Sequence, residues 1–204
     1  MKSLQGQSRG ALVRTAFRLE WLTLAWMLIE TSVALWSGLA AKSLTLIAFG
    51  ADSAIELASA CVLLWRLAAE LRHGKVFSET AERRATTIGA VLLFVLALYV
   101  TVLALWGLFY HRGQMFSLTG TLVTATAIPL MYGLARAKLN IADQIGSCAL
   151  RTDAAESFTC LYLSAVVLIG LVMQLLLNAW WIDSAAALIL VPLLSRESVE
   201  AWRG

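Results

Sequence analysis

Two groups of metal-ligating side chains stand at helical spacing within apolar stretches of the sequence. Asp52 and Glu56 are four residues apart, and Asp153, Glu156 and Cys160 follow one another at steps of three and four. In a helix this spacing places each group on one face, about one turn apart. Carboxylate oxygens and a thiolate can bind a divalent metal ion, and four ligands suit tetrahedral coordination. We therefore predict a metal site formed by Asp52, Glu56, Glu156 and Cys160.

Other acidic side chains lie close to these residues and allow more than one interpretation. We expect Glu30, Asp153 and Asp183 to support the ligands or to relay protons. The alternative for Asp153 is a helix cap or an ion pair with Arg151, and the alternative for Asp183 is an N-cap of its own helix. Cys160 could also be an ordinary core cysteine.

Basic side chains are expected at the edges of the apolar stretches and not deep within them. His73 and His111 are predicted to lie in solvated loops, and Glu20 is predicted to be structural. An ionised acid at the centre of a membrane helix costs about 2.5–3.5 kcal/mol on insertion scales. The deep acids therefore need a proton or a metal cation as their partner.

The composition indicates a membrane protein. Of the 204 residues, 60% are apolar and 14% are charged, and the mean hydropathy is +0.77. These values leave too few charges for a water-facing surface and exclude an ordinary soluble enzyme or a disordered chain. The basic residues form no stripe with aromatic residues, so we expect no nucleic-acid partner. A chain of this length can form about six spans with short loops.

Six apolar stretches define the predicted topology of an all-α membrane protein. The stretches cover residues 19–39, 44–67, 87–109, 117–135, 147–177 and 182–194. With six spans, both tails, the loop between the second and third spans and the loop between the fourth and fifth spans lie on one side of the membrane. These segments carry 14 of the 16 basic residues. By the positive-inside rule both termini are cytoplasmic. We predict a cytoplasmic tail over 1–18, a six-helix membrane domain over 19–195 and a short cytoplasmic tail over 196–204, in the cytoplasmic membrane of a bacterium.

Three motifs resemble those of the cation diffusion facilitator family. The segment SLTLIAFGADSAIELAS at 43–59 is similar to the family pattern of a serine, an apolar run, Asp-Ser, an acid and Ala-Ser. TDAAESFTC at 152–160 resembles the pattern Ala-Asp-Ala-x-His-Ser-x-x-Asp, with Glu156 at the histidine and Cys160 at the aspartate. WWIDSAAA at 180–187 resembles the Trp-Trp-x-Asp-Pro opening of the sixth span.

The resemblance implies a cation-efflux-like bundle that exports a divalent transition metal in exchange for protons. Zn²⁺ is the favoured cargo, with Mn²⁺, Fe²⁺, Co²⁺ or Cd²⁺ as alternatives, because three of the four ligands differ from the common zinc set. The resemblance also implies a divergent short form that lacks the cytoplasmic C-terminal domain. Such a form is expected to dimerise through its membrane helices. The expected partners are the lipid bilayer, the metal ion, protons and a second copy of the chain.

The sequence leaves three other functions to compare with metal export. The altered ligand set also suits a transport-inactive metal sensor or accessory membrane subunit, which would bind metal without moving it. A carrier of organic cations could use the same acids. A membrane enzyme is least consistent with the sequence, because no nucleophile–base pair stands out.

Overall fold

A computed structural model describes residues 2–73, 79–110, 115–146 and 148–203, and these residues form helices joined by short connections. The predicted loop residue His111 and the first residue of the predicted fifth span, Ser147, lie outside the described residues. His73 was predicted to lie in a loop, and it is the last residue of a helix. The six helices are α1 (Lys2–Ala41), α2 (Leu44–His73), α3 (Glu79–Phe109), α4 (Leu118–Ile145), α5 (Cys148–Leu177) and α6 (Ile182–Arg203).

The helices confirm an all-α membrane protein. Five of them contain stretches long and apolar enough to cross a bilayer, namely Ala11–Ala41, Leu44–Val62, Ala90–Phe109, Leu118–Ile145 and Asp153–Leu177. The sixth helix is 22 residues long, and its second half carries Arg196, Glu197 and Glu200, which lower its hydropathy. The outer surface of the bundle exposes large apolar side chains such as Phe94, Leu98 and Trp106, as expected of a surface that faces lipid.

The bundle is organised around α2, which packs against α1, α3, α5 and α6. The most extensive contacts join α1 to α2, α3 to α6 and α4 to α5. A core cluster between these helices includes Phe49, Met131, Leu163 and Leu190. The central position of α2 means that any side chain on its buried faces meets residues from several helices.

Close approaches fix the position of α6 against its neighbours. A Cβ atom added at Gly107 of α3 would lie 2.6 Å from the Ser184 hydroxyl, and one added at Gly170 of α5 would lie 2.9 Å from the Ala186 methyl group. Toward the other end of α6, the Ser198 hydroxyl donates a hydrogen bond to the Ala90 carbonyl of α3 at 2.8 Å. The helix is therefore held at both ends, and its inward-facing residues have a defined position.

Asp183 caps the amino terminus of α2 and not that of its own helix. Its carboxylate accepts hydrogen bonds from the Ser43 hydroxyl at 2.7 Å, the Leu44 amide at 2.6 Å and the Thr45 amide at 3.2 Å. The Thr45 hydroxyl in turn donates to the Asp183 carbonyl at 2.7 Å. The first amides of a helix lack partners within the helix and carry partial positive charge, so a carboxylate is favourable there.

Replacing Asp183 by alanine is expected to lower the free energy of unfolding by about 1.5–3 kcal/mol, because a charged acceptor is lost from buried donors. Denaturant unfolding of the detergent-solubilised protein measures this change. The control is Asp143→Ala, which removes an exposed carboxylate that pairs with exposed Arg151; exposed pairs contribute at most about 1 kcal/mol. Equal losses in the two variants would contradict the cap.

Candidate functional site

Asp52 and Glu56 lie on the inner face of α2, as the sequence predicts. Asp52 has no exposed surface and Glu56 has 6%. No donor in the described part of the chain forms a hydrogen bond to either oxygen of Asp52 or to Glu56 Oε1. Buried polar atoms normally have partners, so these oxygens are available to bind something that is not part of the protein.

A third carboxylate, from Glu197 of α6, joins this pair. One ligand oxygen from each of Asp52, Glu56 and Glu197 lies within 4.8 Å of the other two. Glu197 was not predicted to belong to the site, because the sequence-based boundary of the membrane domain ended at residue 195. The helical spacing could have indicated that Glu197 is buried. It follows Leu190 and Leu194 at steps of four and three, and all three lie on one buried face of α6.

Glu156 of α5 faces a small cavity beside Glu56. The two side chains line the cavity together with Met27, Met131 and Asp153. Its volume of about 10 Å³ is close to the space that one water molecule needs. The structure therefore brings Glu156 beside Glu56, the helical neighbour of Asp52, at a space for one small ligand.

Cys160 belongs to a hydrogen-bond network centred on Glu30 of α1. The Glu30 carboxylate accepts from the Trp26 indole at 2.6 Å, from the Ser53 hydroxyl at 2.7 Å and from the Cys160 thiol at 3.5 Å. Three helices thus converge on one carboxylate in a fully buried position. Ser53 is next to Asp52 in sequence, so the network holds the part of α2 that carries the site.

A buried lysine lies within the bundle, and the expectation that basic side chains lie only at the edges of the apolar stretches is wrong for this residue. Lys138 has no exposed surface and pairs with Glu20 at 3.3 Å and more closely with Asp153. The prediction failed because α4 continues to Ile145, well past the apolar stretch that ended at residue 135. The side chain therefore stands on a helix in the core and not in a loop.

Asp153 forms an ion pair with Lys138 and not with Arg151, the partner that the sequence suggested. Arg151 donates to Asp143 at 2.5 Å, and both side chains are exposed. Asp153 instead joins Lys138 and Glu20, and it also lines the cavity that Glu156 faces. It links the ion pair to the site, while Asp183 lies apart from the site at the start of α2.

The charges around the site leave a local excess of negative charge. Asp52, Glu56 and Glu197 are grouped closely and Glu156 lies beside Glu56, whereas the single charge of Lys138 is shared by Glu20 and Asp153. Like charges at such distances repel strongly in a medium of low dielectric constant. A bound cation, or protons, would relieve this repulsion.

The arrangement is that of a helical membrane protein in which acids from three helices converge on one site. Residues 21–203 match the family described as the cation efflux transmembrane domain. The chain belongs to the cation efflux family, whose members are transporters. A comparison with curated proteins finds no match.

Proposed function

We propose that this cation transporter exports a divalent transition metal from the cytoplasm in exchange for protons. The observation that carries the proposal is Asp52: a carboxylate without exposed surface, to which no described residue donates a hydrogen bond. An uncompensated buried charge is costly enough that it needs a counter-charge. A metal ion and a proton are the two counter-charges that a carrier can exchange.

The proposed ligands are Asp52 and Glu56 of α2 with Glu156 and Cys160 of α5. Glu56 and Glu156 face the same cavity, which supports one ion between the two helices. Cys160 donates to Glu30, so its sulfur binds the ion as a thiolate only after this hydrogen bond is given up. Zn²⁺ or Cd²⁺ would draw on the thiolate, whereas Mn²⁺ would rely on the carboxylates.

Proton coupling follows from competition at the ligand atoms. A metal ion and protons use the same lone pairs of a carboxylate, so the binding of one releases the other. Glu30 and Asp153 are the proposed proton relays. Glu30 accepts hydrogen bonds from Ser53 and from the proposed ligand Cys160. Asp153 pairs with Lys138 and lines the same cavity as the proposed ligand Glu156. Asp183 supports the site indirectly through its cap on α2.

The pattern of helix contacts supports the proposed alternating-access motion. Helices α3 and α6 pack most extensively on each other, while α1, α2, α4 and α5 are joined by the other large contacts. We propose that the second group moves against the first and opens the site to each side in turn. We also propose a homodimer formed through membrane helices in a bacterial cytoplasmic membrane.

Flux in reconstituted vesicles tests the proposed function. Purified protein is placed in vesicles that hold a metal-sensitive dye, and Zn²⁺ or Mn²⁺ is added outside with the interior either acidic or at the external pH. We expect metal entry to be faster with an acidic interior, because outward proton movement drives it, and a protonophore should abolish the difference.

Two outcomes would contradict this account in different ways. Metal flux that does not respond to the pH gradient would exclude proton exchange. Saturable metal binding without flux would instead support the transport-inactive sensor or accessory subunit.

A further inference from the structure

We infer that Glu197 of α6 is a metal ligand that completes an all-carboxylate centre with Asp52 and Glu56. This inference rests on the proposed function, since it assumes that the protein binds a divalent cation, and it adds a ligand from a third helix. The three oxygens lie within 4.8 Å of one another. Oxygens bound to one ion at about 2.0–2.6 Å are separated by at most about 4–5 Å, so one ion can bridge the three side chains.

The oxygens of this centre are free to bind an ion. Both oxygens of Asp52, together with Glu56 Oε1 and Glu197 Oε2, have no hydrogen-bond partner among the residues that the structure describes. Asp52 has no exposed surface and Glu197 has 9%. Water therefore has little access to solvate the three charges.

Two basic side chains of the described part of the chain, Arg196 and Lys138, already pair with other carboxylates. Arg196 donates to Glu200 at 2.7 Å, and its side chain is 76% exposed. Lys138 is held by Glu20 and Asp153. Neither of these two side chains pairs with Glu197, and a bound cation would supply its counter-charge.

The position of Glu197 is set by its neighbours on α6. Leu194, one turn earlier, is fully buried in the core cluster, and Ser198 bonds to the Ala90 carbonyl. The helix therefore presents Glu197 toward α2 in a defined register. An ion bound by all three acids would join α6 to α2, so loading of the ion would be linked to the position of α6.

The ligand set of this centre consists of oxygens only, which suits Mn²⁺. The test is calorimetric titration of the purified 204-residue protein with Mn²⁺, comparing Glu197→Gln with the wild type. We expect Glu197→Gln to weaken binding by at least about 10-fold, since even residues that only support metal ligands contribute about 10- to 100-fold. Glu197→Asp, which keeps the charge, should fall between the two.

Glu200→Gln is the matched control, because Glu200 lies on the same helix, carries the same charge and is exposed. Its affinity for Mn²⁺ should equal that of the wild type. Thermal unfolding without metal shows whether Glu197→Gln is folded; we expect no loss of stability, because a buried unpaired charge is removed.

The outcomes separate the inference from the proposed function. If Asp52→Asn loses Mn²⁺ binding while Glu197→Gln retains it within twofold, Glu197 is not a ligand and the proposed function stands. If the wild type shows no saturable binding of Mn²⁺ or Zn²⁺, both fail. If Glu197→Gln and Glu200→Gln weaken binding equally, the effect is a general one of charge and the inference is wrong.

Discussion

Replacing Asp52 by asparagine is expected to reduce metal flux by at least about 10- to 100-fold, the range found when metal sites lose supporting residues. The amide has almost the same shape, but it lacks the negative charge that holds a cation. Flux of Zn²⁺ and Mn²⁺ into vesicles that contain the variant measures the effect. The stability of the protein should be unchanged or higher, because the carboxylate forms no hydrogen bond with the described residues and its buried charge is lost.

Asp143→Asn is the control for this variant, since Asp143 is an exposed aspartate whose carboxylate pairs with exposed Arg151. It should transport at the wild-type rate. If Asp52→Asn transports as fast as Asp143→Asn, then Asp52 does not bind the cargo and the assignment of the site is wrong. A large loss of stability in Asp52→Asn would instead indicate a structural role.

Lys138→Met is expected to lower the free energy of unfolding by about 3–5 kcal/mol, because removal of one partner leaves buried charges uncompensated. Glu20 and Asp153 both depend on this lysine, and its side chain has no exposed surface. Methionine preserves most of the volume, so the loss reports charge and not packing. Denaturant unfolding in detergent measures the change.

Two comparisons identify the origin of this loss. The first is Arg136→Met, which removes an exposed arginine from the same helix. The Arg136 guanidinium lies 5.4 Å from the centre of the Tyr132 ring, and its removal should lower the free energy of unfolding by about 1 kcal/mol or less. Adding Glu20→Gln and Asp153→Asn to Lys138→Met should restore much of the lost stability. If the triple variant is no more stable than Lys138→Met, the buried ion pairs are not the cause.

The inner face of α2 could be predicted because its signals are local. The apolar stretch gives the helix, and the spacing of Asp52 and Glu56 gives a shared face whatever the rest of the fold does. The same reasoning placed Glu156 and Cys160 on one face of α5. In the structure, Glu156 faces the cavity that Glu56 lines, and Cys160 donates to Glu30. These contacts depend on the rotation of α5 against its neighbours, which spacing alone does not determine.

The features that could not be predicted from the sequence are long-range contacts of charged residues. Lys138 appeared to lie in a loop because charged residues end an apolar stretch, yet two carboxylates stabilise it in the core. Glu197 appeared to lie in a tail for the same reason. Asp183 was expected to cap its own helix or to support the metal, but its cap on α2 joins residues that are about 140 positions apart.

The most direct test of the central claim is a calorimetric metal titration of the purified protein at two pH values, with Zn²⁺ and Mn²⁺. The account predicts saturable binding that releases protons, is lost in Asp52→Asn and weakens at the lower pH by about tenfold per pH unit for each proton displaced. Binding that is independent of pH and equal in Asp52→Asn, or no binding of either metal, would contradict a cation site that protons and metal share.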